Sequence, residues 1–184
     1  MLATLIAYFK RYWNFYIRFQ GDTVAYLRNQ GVRIGEGSLV YTPVTNFSTE
    51  PWLIEIGKGT TITHGVVFLT HDGASRLFRQ EIPGMNPLYG NRFGTIWIGD
   101  NCFIGANSMI LPDVHIGPDS IVGAGSLVNQ DVPPRTIYAG NPARYICTLD
   151  EYIERYRQKM FPVEATDRES LRGELTKRLW GEER

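Results

Sequence analysis

A chain of 184 residues can bury one substantial core without splitting, and its 19 basic and 19 acidic side chains create no net field to draw it to nucleic acid or an acidic partner. The two cysteines, Cys102 and Cys147, stand at no metal-ligand spacing, which argues against a disulfide framework or a Cys-based zinc site and favours a reducing, cytoplasmic compartment.

The first expected element is an amphipathic helix within residues 1–30. Leu2, Leu5, Ile6, Phe9, Trp13, Tyr16 and Ile17 recur at helical spacing, with Lys10, Arg11 and Arg18 but no acid before Asp22. The basic residues interrupt the run short of the roughly 20 apolar residues a membrane span requires, and no small-residue cleavage site comes after it. Such a helix packs on the rest of the protein or on a sister subunit. The alternative is peripheral contact with the inner face of a membrane through residues 2–19, where aromatic and basic side chains are favoured.

Further along, aliphatic residues fall at Ile98, Ile104, Ile110, Ile116, Val122 and Val128, an unbroken step of six. Three positions after each come Asn101, Asn107, Asp113, Asp119, Gly125 and Asp131, types that tolerate a left-handed backbone or a tight turn. One position further stand Cys102, Ser108, Val114, Ser120, Ser126 and Val132, all small. The pattern describes a short strand with an inward aliphatic, a turn, a small inward residue at the corner, then the next strand. Three such units close one coil, so Ile98 and Ile116, 18 residues apart, should stack. The fold class is therefore all-β, a parallel β-helix over 31–146.

The same phase runs through Ile56, Ile62 and Phe68, and a less regular coil holds Ile34, Gly35, Ser38 and Val40, with a loop expected near Thr42–Glu50. Between Gly73 and Thr95 the repeat vanishes, and a segment of that length in a compact domain reads as a site-covering loop over 74–95. Pro133 and Pro134 stop the repeat, and Gly140, Asn141 and Pro142 make a turn. The remainder, 147–184, reads as a helical cap: one helix from Asp150 to Met160, and a second carrying Leu171, Leu175 and Leu179 behind a capping box of Thr166 and Glu169.

The hexapeptide run together with "VPPRTIYAGNPARYI" resembles the hexapeptide-repeat acyltransferases, the group of the maltose, galactoside, serine and streptogramin O-acetyltransferases. The resemblance covers roughly Val32 to Ile146. It implies a left-handed coil, a homotrimer with sites between subunits, and acetyl-CoA as cosubstrate with no metal. "THDGA" before an aromatic- and Arg-containing loop is more similar to transferases that decorate capsule, exopolysaccharide or O-antigen sugars, and so to polysaccharide biosynthesis, than to the maltose and galactoside enzymes.

In such enzymes a histidine beside a projecting loop is the general base, and His71 matches that position. Histidine suits the task because its unperturbed pKa lies near neutrality. By hexapeptide phase His71 takes a turn slot and faces outward, whereas Asp72, the second candidate catalytic residue, takes an inward slot, where its carboxylate must be held by backbone or by His71 itself. His64, earlier in the same coil, is a candidate for the acceptor pocket or an ordinary surface residue; His115 reads as surface. The resemblance places Gly105, Ala106, Gly123 and Ala124 along the pantetheine arm of CoA, although glycines there also serve the repeat. Arg144, after "GNPA", then meets a nucleotide phosphate, or is a solvated charge. Cys102 fits a corner slot as a small apolar residue.

The function expected is transfer of an acetyl group from acetyl-CoA to a hydroxyl of a sugar or glycan precursor without a covalent intermediate. Two other classes compete. A metal-dependent hydratase of the γ-carbonic anhydrase type would bring His71 and His115 together across an interface, although the histidine spacing does not match that family. A non-catalytic trimeric scaffold would bind no CoA.

Overall fold

The computed structural model describes residues 13–86 and 90–181, which divide after Asp150 into two compact units. Leu2, Leu5, Ile6 and Phe9 of the expected N-terminal helix lie outside the described residues. From Trp13 the chain forms a π-helical turn, Asn14–Arg18, and then α1 (Thr23–Asn29). Asp22 starts α1 by accepting the Ala25 N–H at 2.9 Å. Tyr26 and Leu27 of α1 are buried in the core, and Phe15 and Phe19 set their rings edge-on to Tyr26, while Trp13, Tyr16 and Ile17 remain exposed.

The repeat folds as its spacing requires. One sheet joins β1 (Arg33–Ile34), β3 (Ile54–Ile56), β8 (Ile96–Ile98) and β11 (Val114–Ile116), all parallel. A second joins β2 (Leu39–Val40), β4 (Thr61–Ile62), β9 (Phe103–Ile104), β12 (Ile121–Val122) and β14 (Thr136–Ala139), also parallel. The third joins β5 (Val67–Phe68), β10 (Met109–Ile110) and β13 (Leu127–Val128). From β3 to β5 and from β8 to β13 successive strands enter successive sheets, so the chain coils around three faces. Ile98 pairs with Ile116, Ile104 with Val122 and Ile110 with Val128, which places the aliphatics of each coil over those of the next. All six are fully buried.

The corners obey the same logic. Asn101, Asn107, Asp113, Asp119 and Gly125 all adopt positive φ, between 55° and 68°, the left-handed turn that their residue types tolerate. The small residue after each is inside, and the hydroxyls among them are satisfied by backbone carbonyls: Ser108 donates to Gly123 at 3.0 Å and Ser120 to Pro133 at 2.9 Å, both in the next coil, and Ser126 to Gly123 of its own coil at 2.6 Å. Gly105 is required by close approach, because a Cβ there would sit 2.4 Å from the Ala124 backbone nitrogen.

The first coil is irregular in an informative way. Ile34 pairs with Ile56 and Val40 with Ile62, a spacing of 22 rather than 18. The segment Thr42–Glu50 is more than a connection, since Phe47 bridges to Phe68 on the third face and stacks on its ring at 4.6 Å. Its end, Ser48 to Glu50, is thereby held beside β5 and the two residues that leave it, Thr70 and His71. At the other end, β15 (Arg144–Thr148) turns back antiparallel onto β14 and buries Cys147. The helix expected from Asp150 is α2 (Leu149–Arg157). In the second unit, α3 (Arg168–Trp180) begins one residue later than the expected capping box: Asp167 accepts the Glu169 and Ser170 N–H groups, each at 2.9 Å, and Ser170 answers the Asp167 N–H.

Candidate active site

Directly after β5 the chain leaves the coil. Thr70 takes the last inward position, fully buried, and β6 (His71–Asp72) pairs antiparallel with β7 (Arg92–Phe93). Gly94 N–H donates to the Thr70 carbonyl at 2.9 Å, closing the root of the long loop, and Ser75 Oγ adds a buried bond to the Gly90 carbonyl at 2.6 Å. Inside the loop, short 3-10 turns at Gly73–Leu77 and Arg79–Glu81 leave Leu77, Phe78 and Ile82 exposed. This departure corrects the inward slot expected for Asp72. Once the strand exits at Thr70 the hexapeptide phase no longer applies; Asp72 is exposed and caps the turn by accepting the Ala74 N–H at 2.8 Å.

The partner of His71 is Glu50, a residue to which sequence reasoning gave no role. Glu50 Oε2 lies 2.8 Å from His71 Nδ1 and accepts the Thr70 hydroxyl at 2.9 Å, while Thr49 donates to Oε1 at 2.6 Å. Burial pushes the Glu50 carboxyl upward, but hydrogen bonds from Thr49, His71 and Thr70, with the attraction of a charged His71, together outweigh it and hold the group below the ordinary glutamate range. A carboxylate kept ionised can only accept, so Nδ1 donates to it and carries the ring hydrogen. The Nε2 lone pair is then the one available for chemistry. Phe93, the cross-strand neighbour of His71, packs its ring 5.9 Å from the imidazole. No signal in the one-dimensional pattern marks Glu50, because the Phe47 insertion that delivers it breaks the repeat.

His71 opens onto a cavity of about 340 Å³ lined by Leu69, Asp72, Gly73, Arg92, Leu111, Pro112 and Asn129. That size is at the small end of the range for small-molecule sites, roughly 300–1,000 Å³. Arg92 is anchored at its wall by Asp113, Nη2 to Oδ2 at 2.9 Å.

The other candidates lie elsewhere. His64 is exposed at a corner after β4 and does not line this cavity. His115 is exposed on β11, tilted against Trp97 and 3.5 Å from Asp131. Among the described residues no three His, Cys, Asp or Glu side chains converge into a metal-binding group. Ala106 and Gly123 are half-buried and Ala124 exposed, a row of small residues, while Gly105 is buried against the next coil. Arg144 is exposed and donates to the Ala143 carbonyl at 2.9 Å. Cys102 is buried in its corner, and burial raises its thiol pKa. No helix among the described residues is long and apolar enough to cross a membrane.

Residues 95–130 match the bacterial transferase hexapeptide (six repeats) family. Protein CapG of Staphylococcus aureus is 44% identical over 127 residues, which are 68% of this chain and 71% of that protein. Galactoside O-acetyltransferase of Escherichia coli (strain K12) is 41% identical over 71 residues, 39% of this chain and 35% of the relative. Among solved structures, a hexapeptide-repeat containing acetyltransferase from Vibrio cholerae superposes with a TM-score of 0.52 at 28% identity, covering 68% of this chain and 78% of that one. The same Vibrio protein is also known in complex with acetyl coenzyme A, with a TM-score of 0.50.

Proposed function

This chain belongs to the bacterial hexapeptide-repeat transferases, and on that premise we propose that it is an acetyl-CoA-dependent O-acetyltransferase acting on a sugar hydroxyl, with His71 as the general base. The observation that carries the reading is the Glu50–His71 pair at 2.8 Å beside a closed-rooted loop and a small cavity. With Nδ1 tied to Glu50, Nε2 takes the proton of the acceptor hydroxyl as its oxygen attacks the thioester. Glu50 stabilises the imidazolium that forms, and the same nitrogen returns the proton to the departing thiolate. Acetyl-CoA supplies the activated acyl group, and the chain supplies alignment and the base.

In this reading the coil is left-handed and the protein a homotrimer with sites between subunits. Leu39 and Phe103, exposed rungs of one outward column, support coverage by a sister chain. Ala106, Gly123 and Ala124 fit a groove for the pantetheine arm, with Arg144 near the nucleotide end; the missing side chain of Gly105 is already required by coil stacking. His64 would contact acceptor only in a neighbouring subunit's site. Peripheral membrane contact through residues 2–19 draws support from exposed Trp13, Tyr16 and Ile17. A sugar acceptor agrees with the similarity to galactoside O-acetyltransferase.

The test is incubation with acetyl-CoA and a panel of sugars and nucleotide sugars, reading acetylated product by mass. An acetylated sugar supports the assignment; acetyl-CoA binding with acetylation of amines alone, or no CoA binding, overturns it.

A further inference from the structure

The ribbon that carries His71 also carries a divided ion pair. Asp72 and Arg92 are cross-strand partners in the β6–β7 register, an arrangement in which opposite charges ordinarily meet. Here they do not. Asp72 turns to the Ala74 N–H at 2.8 Å, and Arg92 turns to Asp113 at 2.9 Å. The second diversion depends on Gly94, since a Cβ there would fall 2.2 Å from Asp113 Oδ1 and displace the carboxylate that holds Arg92. Both charged groups line the same cavity as His71.

Each is fixed by one bond and retains capacity for more. Asp72 accepts its cap on Oδ1, leaving Oδ2 as an acceptor, and Arg92 uses Nη2 toward Asp113, leaving further N–H donors. From this geometry we infer that Asp72 and Arg92 form a clamp for the acceptor's vicinal diol, with one hydroxyl donating to Asp72 and its neighbour accepting from Arg92, while a third reaches His71. The inference rests on the acetyltransferase reading and deepens it, naming uncharged sugars with adjacent free hydroxyls as the substrate class. A uronic acid or sugar phosphate would gain from Arg92 but meet the fixed Asp72 carboxylate, so the clamp favours neutral rings. It makes Asp72 a substrate-positioning residue, with no role in proton transfer.

The experiment measures acetylation of the methyl glycosides of glucose, galactose, mannose and N-acetylglucosamine, with methyl glucuronide and glucose 6-phosphate as charged comparisons. Enzymes are wild type, Asp72→Asn and Arg92→Gln. Asparagine still caps the Ala74 N–H, so unchanged thermal midpoints would separate binding from folding. Losing a charge-assisted hydrogen bond should raise acceptor KM about tenfold or more in either variant, with acetyl-CoA KM within about twofold. A deoxy analogue lacking the clamped hydroxyl should lose a similar factor on wild type and little further on Asp72→Asn. Unchanged acceptor KM in both variants, preference for the charged sugars, or acetylation of none of the neutral glycosides by an enzyme that binds acetyl-CoA would overturn the clamp. His71→Ala distinguishes the two readings: activity surviving there removes the base, whereas activity lost there with unaltered Asp72→Asn removes only the clamp.

Discussion

Replacing Glu50 by glutamine is the most informative perturbation of the site. The side chain is 18% exposed, its Oε2 meets both His71 Nδ1 at 2.8 Å and Thr70 Oγ1 at 2.9 Å, and glutamine fills nearly the same space. The amide keeps a carbonyl that can accept from one or both donors, but it loses the charge that holds Nδ1–H in place and stabilises the imidazolium. A hydrogen bond to a charged group contributes about 1.5–3 kcal/mol. If that stabilisation is realised only as His71 charges, kcat falls by about ten- to 150-fold at about 1.4 kcal/mol per tenfold, and acceptor KM stays nearly constant. The assay is steady-state thiol release with the acceptor varied at saturating acetyl-CoA, and Glu50→Asp should restore part of the loss if the carboxylate can still reach. A kcat within about twofold of wild type in Glu50→Gln, or a loss confined to KM, would refute the claim that Glu50 tunes the base.

The depressed Glu50 pKa means that its stabilising contribution is complete above the ordinary glutamate value, about 4.3, and is lost as pH falls through the lower folded-state value; wild type should therefore lose thermal stability more steeply than Glu50→Gln below about pH 4.3, and parallel curves would contradict this. Ile110, fully buried between Phe68 and Val128, should cost about 2–5 kcal/mol when replaced by alanine, read as a lowered denaturant midpoint. Gly105→Ala should destabilise the coil by driving a methyl into the Ala124 backbone, and an unchanged thermal midpoint would show that the coils can separate there. Cys102, with its thiol pKa raised by burial, should resist alkylation in the native protein and react on unfolding; rapid native labelling would contradict its placement.

The sequence is legible wherever the six-residue period controls the structure. The stacking of Ile98 on Ile116, the left-handed corners at Asn101 to Gly125 and the small inward residues after them all come from spacing, because each coil repeats the same local geometry. Information fails where the period breaks. Thr42–Glu50 reads as a plain loop, yet Phe47 completes the first coil and delivers Glu50 to His71, a contact across 21 positions that no local pattern encodes. An inward Asp72 results from extending the phase one strand too far, beyond the point where Thr70 ends the coil. The α3 cap moves from Thr166 to Asp167, a one-residue shift typical of helix ends where several residues can cap.

His71, held by Glu50, is proposed to remove the proton from a sugar hydroxyl. The decisive measurement is acceptor-dependent thiol release from acetyl-CoA, compared between wild type and His71→Ala. Release in wild type should require a sugar and fall by about 10²–10⁴ in the variant, with acetyl-CoA binding retained. Sugar-dependent release that persists at wild-type rate in His71→Ala would contradict it.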